Sequence, residues 1–218
     1  MSSLSKAAIA ELLGTFTLVF VGMLAGSAAP SIGPIAPALG HGLVLVGIIF
    51  VYGHISGAHV NPAVTLGLLV GGKVKIDKAV VYWIAQFVGA ILAAVVVNMI
   101  IADGATTGQT KGSLTDASVG SAAFLEAILT FFLVTAVYQA AVYGKAGNGA
   151  AVAIGLTLAA AIIAGGALTG ASLNPARTLG PALIAGDLSY TIPYFIGIFA
   201  GGAVGGLLNA FILTPEKD

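Results

Sequence analysis

Ser56–Gly67 reads SGAHVNPAVTLG and Thr169–Gly180 reads TGASLNPARTLG, with 8 of 12 positions identical at a shift of 113. Each copy follows a long apolar run and holds an Asn-Pro-Ala triplet, Asn61-Pro62-Ala63 in the first and Asn174-Pro175-Ala176 in the second. Asparagine then proline is a helix cap followed by a residue suited to the first helical position. Short helices are therefore predicted at about 61–70 and 174–184. Both are apolar, yet too short for a bilayer, which takes roughly 20 residues to cross. The duplication extends further. AELLGTFTLVF from Ala10 and LEAILTFFLVT from Leu125 agree at a glutamate, a threonine, a phenylalanine, a leucine and a valine. Tyr82-Trp83-Ile84 and Tyr194-Phe195-Ile196 match again.

Six other runs are long enough to span, at about 7–29, 38–56, 79–101, 120–143, 149–168 and 192–213. Charged residues make up 7% of the chain and the mean hydropathy is +1.07, against roughly 25% charged in soluble domains. Most of the surface must face lipid. Net charge is zero, which gives no footprint for nucleic acid. With no cysteine, disulfides, zinc thiolate sites and cysteine nucleophiles are excluded together. Lys6 leads into one apolar run reaching about Pro30, which reads as a first span and not as a cleavable signal. Lys6, Lys73, Lys75, Lys78, Lys145 and Lys217 fall on one side of a six-span chain, and Lys111 alone on the other. The positive-inside rule then puts both termini in the cytoplasm.

Each repeat holds three spans, and an odd number inverts the second relative to the first. The expected fold is all-α: six transmembrane helices plus two re-entrant half-helices in an inverted 3+3 repeat. It forms one channel domain over 1–218, with repeats at about 7–101 and 120–213. The half-helices enter from opposite faces, aiming positive N-terminal ends at the midplane. Each cap asparagine accepts from its helix backbone, leaving its amide N–H2 free to donate into a pore. A water between Asn61 and Asn174 accepts from both and is a poor link in a proton wire. Non-helical backbone at this depth must be buried or line a wet cavity, so 56–60 and 169–173 are expected to line the pore with carbonyls. Gly197, Gly201 and Gly205, like Ala85, Gly89 and Ala93, have the spacing of close helix packing in lipid.

With two Asn-Pro-Ala triplets at matching points of an inverted repeat, and GHISGAHVNPAVTLG from Gly53 to Gly67, the chain resembles the aquaporins over essentially its whole length. The resemblance implies a passive channel for water, with no chemistry and no cofactor, assembled as a homotetramer in the bilayer. It places Arg177, an intramembrane charge expected to be functional, in the outer constriction. The matching filter positions are His41, Ile162 and Ala171. Strict water channels usually carry phenylalanine and histidine where His41 and Ile162 stand, so this filter looks like that of plant tonoplast intrinsic proteins. A wider, less polar aperture is expected, passing ammonia, hydrogen peroxide or urea beside water. Thr178 stands where glycerol-conducting members usually have aspartate, and those members lack the Tyr194-Phe195 pair. Water type is thus favoured over an aquaglyceroporin.

Glu11 and Glu126 occupy equivalent points of the two repeats. Each is expected to accept backbone N–H groups of the re-entrant loop in its own half, in preference to a proton relay. His54 and His59 flank the first loop; His59 is expected to brace it and to turn its carbonyl into the pore, with no metal bound. His41 carries an imidazole able to titrate near neutral pH. An ion-coupled transporter shares inverted repeats and broken helices but needs coordinating acids, for which only the two glutamates offer. An intramembrane enzyme lacks a nucleophile–base pair. The expected location is the plasma membrane, on the compact termini, with a vacuolar membrane as the alternative. The polar stretch from about Asp103 to Val119 is long enough to fold over the outer mouth and alter the filter.

Overall fold

The structure is a computed structural model describing residues 2–216; Lys217, one of the basic residues that orient the chain, lies outside the described residues. The apolar runs form α1 (Ser3–Ser27), α2 (Ile35–Ser56), α4 (Ile76–Ile100), α5 (Val119–Ala136), α6 (Ala150–Thr169) and α8 (Thr191–Phe211). The two Asn-Pro segments form the short helices α3 (Pro62–Val70) and α7 (Pro175–Ala185). The first and third spans start three to four residues before the predicted 7 and 79. Their opening turns carry Lys6, Asp77 and Lys78, charges that stay wet at a helix end but lower a hydropathy window. The fourth span continues beyond Ala136 as a π-helical turn over Val137–Val142, with no counterpart in the regular α1.

Packing interlocks the repeats. α1 lies against α2 and α4, α8 against α5, and α2 against α6. The half-helices cross over: α3 of the first repeat packs on α8, and α7 of the second packs on α4. Small residues allow this. A methyl at Gly67 would sit 2.8 Å from the Gly202 carbonyl oxygen, and one at the equivalent Gly180 would sit 2.6 Å from that of Ala90. Backbones approach here as closely as side chains usually do elsewhere.

The described chain thus has six apolar spans and two half-helices in an inverted arrangement. Large apolar side chains remain exposed on the outside, among them Phe50, Ile84, Met99, Phe124 and Phe211. Polar residues including Glu11, Gln86, Glu126 and Arg177 are buried inside. That distribution inverts the soluble pattern, and lipid contact is its physical reason.

Candidate pore and filter

Both re-entrant loops begin at a left-handed glycine, Gly57 (φ 96°) and Gly170 (φ 80°), that ends the preceding span. Ala58 and Val60 then take φ of 49° and 43°, and the equivalent Ala171 and Leu173 take 42° and 53°. Left-handed backbone costs a non-glycine residue roughly 1–2 kcal/mol, so something must hold these loops.

The two buried glutamates do so. One oxygen of Glu11 accepts from Ser56 Oγ at 2.7 Å and His59 N at 2.9 Å; the other accepts from Val60 N at 2.6 Å and Gln86 Nε2 at 2.8 Å. Glu126 accepts from Thr169 Oγ1 at 2.7 Å, Ser172 N at 2.9 Å and Leu173 N at 2.8 Å. Hydrogen bonds to an ionised carboxylate are the strong kind. His59 adds a contact of its own, Nδ1 to Thr65 Oγ1 at 3.1 Å. Sequence reasoning missed a third support: Tyr82 Oη donates to the Ser56 carbonyl at 2.6 Å, and Tyr194 Oη to the equivalent Thr169 carbonyl at 2.9 Å. The matched Tyr-X-Ile triplets were the available signal. Gln86 was also missed, having no repeat partner to mark it.

Asn61 Oδ1 caps α3 by accepting from Ala63 N at 2.8 Å, and Asn174 Oδ1 caps α7 by accepting from Ala176 N at 3.0 Å and Arg177 N at 3.2 Å. The amides are not wholly free, which corrects the expectation from sequence. Asn61 Nδ2 donates to the Leu173 carbonyl at 2.8 Å, and Asn174 Nδ2 to the Val60 carbonyl at 2.9 Å. The capping geometry aims each amide at the opposite loop, whose carbonyl has no helix partner. Val60 and Leu173 carbonyls are therefore occupied. Each asparagine keeps one N–H for the lumen.

A cavity of about 570 Å3 runs from the lysine-rich face, at His54, Lys73 and Lys78, past His59, Asn61 and Asn174 to His41 and Arg177. Leu18, Leu45, Val64, Leu133, Val137, Ile154 and Leu158 give it an otherwise apolar wall. At its far end Arg177 Nε donates to His41 Nε2 at 3.0 Å, and Nη1 donates to the Gly108 carbonyl at 2.6 Å. His41 Nδ1 lies 2.7 Å from the Pro37 carbonyl, which can only accept. The proton therefore sits on Nδ1, and Nε2 is the acceptor for arginine. Both ring nitrogens are engaged, so the imidazole is a neutral anchor here, where the sequence suggested a titrating group. Among the described residues, the Arg177 side chain bonds through Nε and Nη1, and Nη2 has no hydrogen-bond partner.

Of the four expected filter residues, His41 and Arg177 line this cavity and touch each other. Ile162 and Ala171 are buried within the apolar core cluster and are not among its lining residues. The 103–119 stretch forms the short helical turns Gly104–Thr107 and Ser113–Ala117 and meets Arg177 through its Gly108 carbonyl. The Gly108 carbonyl could not have been foreseen, since a backbone acceptor on a glycine leaves no side-chain pattern.

Six spans and two facing half-helices around an asparagine-lined cavity define a pore-type, multi-pass membrane protein. The family model for the major intrinsic proteins matches residues 1–209. The chain is 40% identical to aquaporin TIP1-2 of Zea mays, over 98% of this chain and 88% of that protein. It is 38% identical to the probable aquaporin TIP3-2 of Arabidopsis thaliana, over 98% and 85%. The aquaglyceroporin of Plasmodium falciparum superposes with a TM-score of 0.86 at 26% identity, covering 96% of this chain and 97% of that one. The chain belongs to the major intrinsic protein family, the aquaporins.

Proposed function

We propose that this chain is a passive water channel that also passes small neutral solutes such as ammonia, hydrogen peroxide or urea, while excluding protons and ions. The observation that carries the reading is the paired geometry of Asn61 and Asn174. Each caps a half-helix, is locked to the opposite loop, and retains one donor at the lumen. A water there accepts two hydrogen bonds from the protein and turns its own hydrogens along the pore. Two helix N-termini, each worth roughly half a positive charge, repel cations at the same point. Arg177 adds a full charge at the mouth. Pore diameter, lining groups and an arginine or half-helix barrier are the general terms of selectivity in this class.

In this reading His41, Ile162, Ala171 and Arg177 form the filter, and Glu11, Glu126 and His59 brace the loops. Residues 1–218 act as one channel domain with no catalytic chemistry. The lysine bias supports cytoplasmic termini. We assign the chain to the plasma membrane, with the vacuolar membrane as the alternative suggested by the filter, and to a homotetramer with one pore per subunit. Stopped-flow light scattering on proteoliposomes tests the solute range. Urea and ammonia flow above that of empty vesicles supports the wide filter; water flow alone contradicts it.

A further inference from the structure

The strap formed by residues 108–111 lies along α7 and is fastened to it at three points. Gly108 accepts from Arg177 Nη1 at 2.6 Å. Thr110 Oγ1 stands 3.5 Å from Thr178 Oγ1. Lys111 Nζ donates to Asp187 Oδ2 at 3.0 Å, in the turn that closes α7. The other Asp187 oxygen is occupied by Ser189, through N at 3.1 Å and Oγ at 2.6 Å, so this carboxylate is fixed before the lysine reaches it. Asp116 also approaches Lys111, at 3.5 Å, but its side chain is 79% exposed against 34% for Asp187. Asp187 is therefore the anchor. Behind the strap there is no room to move: a methyl on Gly170 would lie 2.6 Å from Lys111 N. Outward is the open direction, and the Lys111–Asp187 pair is the ionic fastening against it.

We propose that Lys111 and Asp187 are positioning residues for the filter: their ion pair pins the strap across the mouth, and the pinned Gly108 carbonyl fixes the guanidinium of Arg177. This rests on the channel reading above. Arg177 is buried, and no carboxylate pairs with it among the described residues, so a backbone carbonyl and His41 set where its charge sits. Releasing the strap removes one of those two acceptors without touching the pore wall. Total water flow then changes little, while discrimination between urea and water is weakened.

The test is the ratio of urea to water permeability in proteoliposomes of wild type, Lys111→Met, Asp187→Asn, the double variant and Lys111→Arg. The expected result is a ratio raised about two- to fivefold in both single variants, the range an exposed ion pair supports. The double variant should match the singles, since both remove one interaction, and Lys111→Arg should stay at the wild-type ratio. An unchanged ratio in folded Lys111→Met, or single effects that add in the double variant, overturns the inference. Should Lys111→Met fail to assemble, Asp187→Asn reads the same contact. Absence of water flow in wild type would instead sink the channel reading, and this inference with it.

Discussion

His41 Nε2 accepts from Arg177 Nε at 3.0 Å, joining two residues 136 positions apart across the two repeats. The ring reaches that point because Gly22 on α1 leaves space for it; a methyl group at Gly22 would overlap the imidazole. Gly22→Ala should therefore drive the ring toward Arg177 and narrow the aperture while deleting no polar group. Overpacking by one methyl typically costs about 1–3 kcal/mol. Carried by the aperture, that slows water flow about fivefold or more, and osmotic shrinkage rates of reconstituted vesicles check it. Unaltered flow would mean that α1 yields and the ring does not.

Replacing a loop-bracing carboxylate should cost assembly and spare selectivity. Glutamine at position 11 offers one acceptor oxygen where the four donors now share two, and turns an N–H2 group toward two of them. With charge-assisted bonds worth about 1.5–3 kcal/mol each, Glu11→Gln should lose several kcal/mol and yield little folded protein. Glu126→Gln, with three donors in place of four, should be the milder variant. Folded yield in detergent and melting temperature measure the loss. A normal yield accompanied by proton leakage would revive the proton-relay reading.

The outer latch should be indifferent to pH across the physiological range. Asp187 is held down to about 2, first by the Ser189 hydroxyl and then by Lys111. A carboxylate depressed below its ordinary value of about 3.9 contributes fully above that value, and loses its contribution only as pH falls through about 2. Lys111 is shifted the opposite way, chiefly by its hydrogen bond to Asp187, so it stays charged. Asp116, at 3.5 Å, and the Tyr190 ring, 5.6 Å from Lys111 Nζ, are the other groups facing the pair. The urea-to-water ratio should be flat from about pH 5 to about pH 8. A step within that window would place the controlling group elsewhere.

Most of this fold is legible in the chain because lipid imposes simple rules. Apolar runs of one minimum length must be helices, and Asn-Pro at the head of a shorter run must be a capped half-helix. The matched glutamates were readable for the same reason, since loop N–H groups at membrane depth need a buried acceptor. What the residues did not give was cross-repeat geometry. The lock of Asn61 to Leu173, and of Asn174 to Val60, depends on how deeply the half-helices penetrate. The contact of His41 with Arg177 depends on a rotamer and on the space at Gly22. Gly108 acts through its backbone, for which sequence has no letter. Ile162 and Ala171 were located by resemblance alone, and neither is among the residues that line the cavity.

Water permeability of purified protein in liposomes tests the central claim most directly. The paired asparagine donors and the arginine mouth predict fast osmotic water flow with a low activation energy and no accompanying proton current. Mercury should not inhibit it, because the chain has no cysteine. Well-folded protein that left vesicle permeability at the level of bare lipid, or that carried protons with the water, would contradict the account.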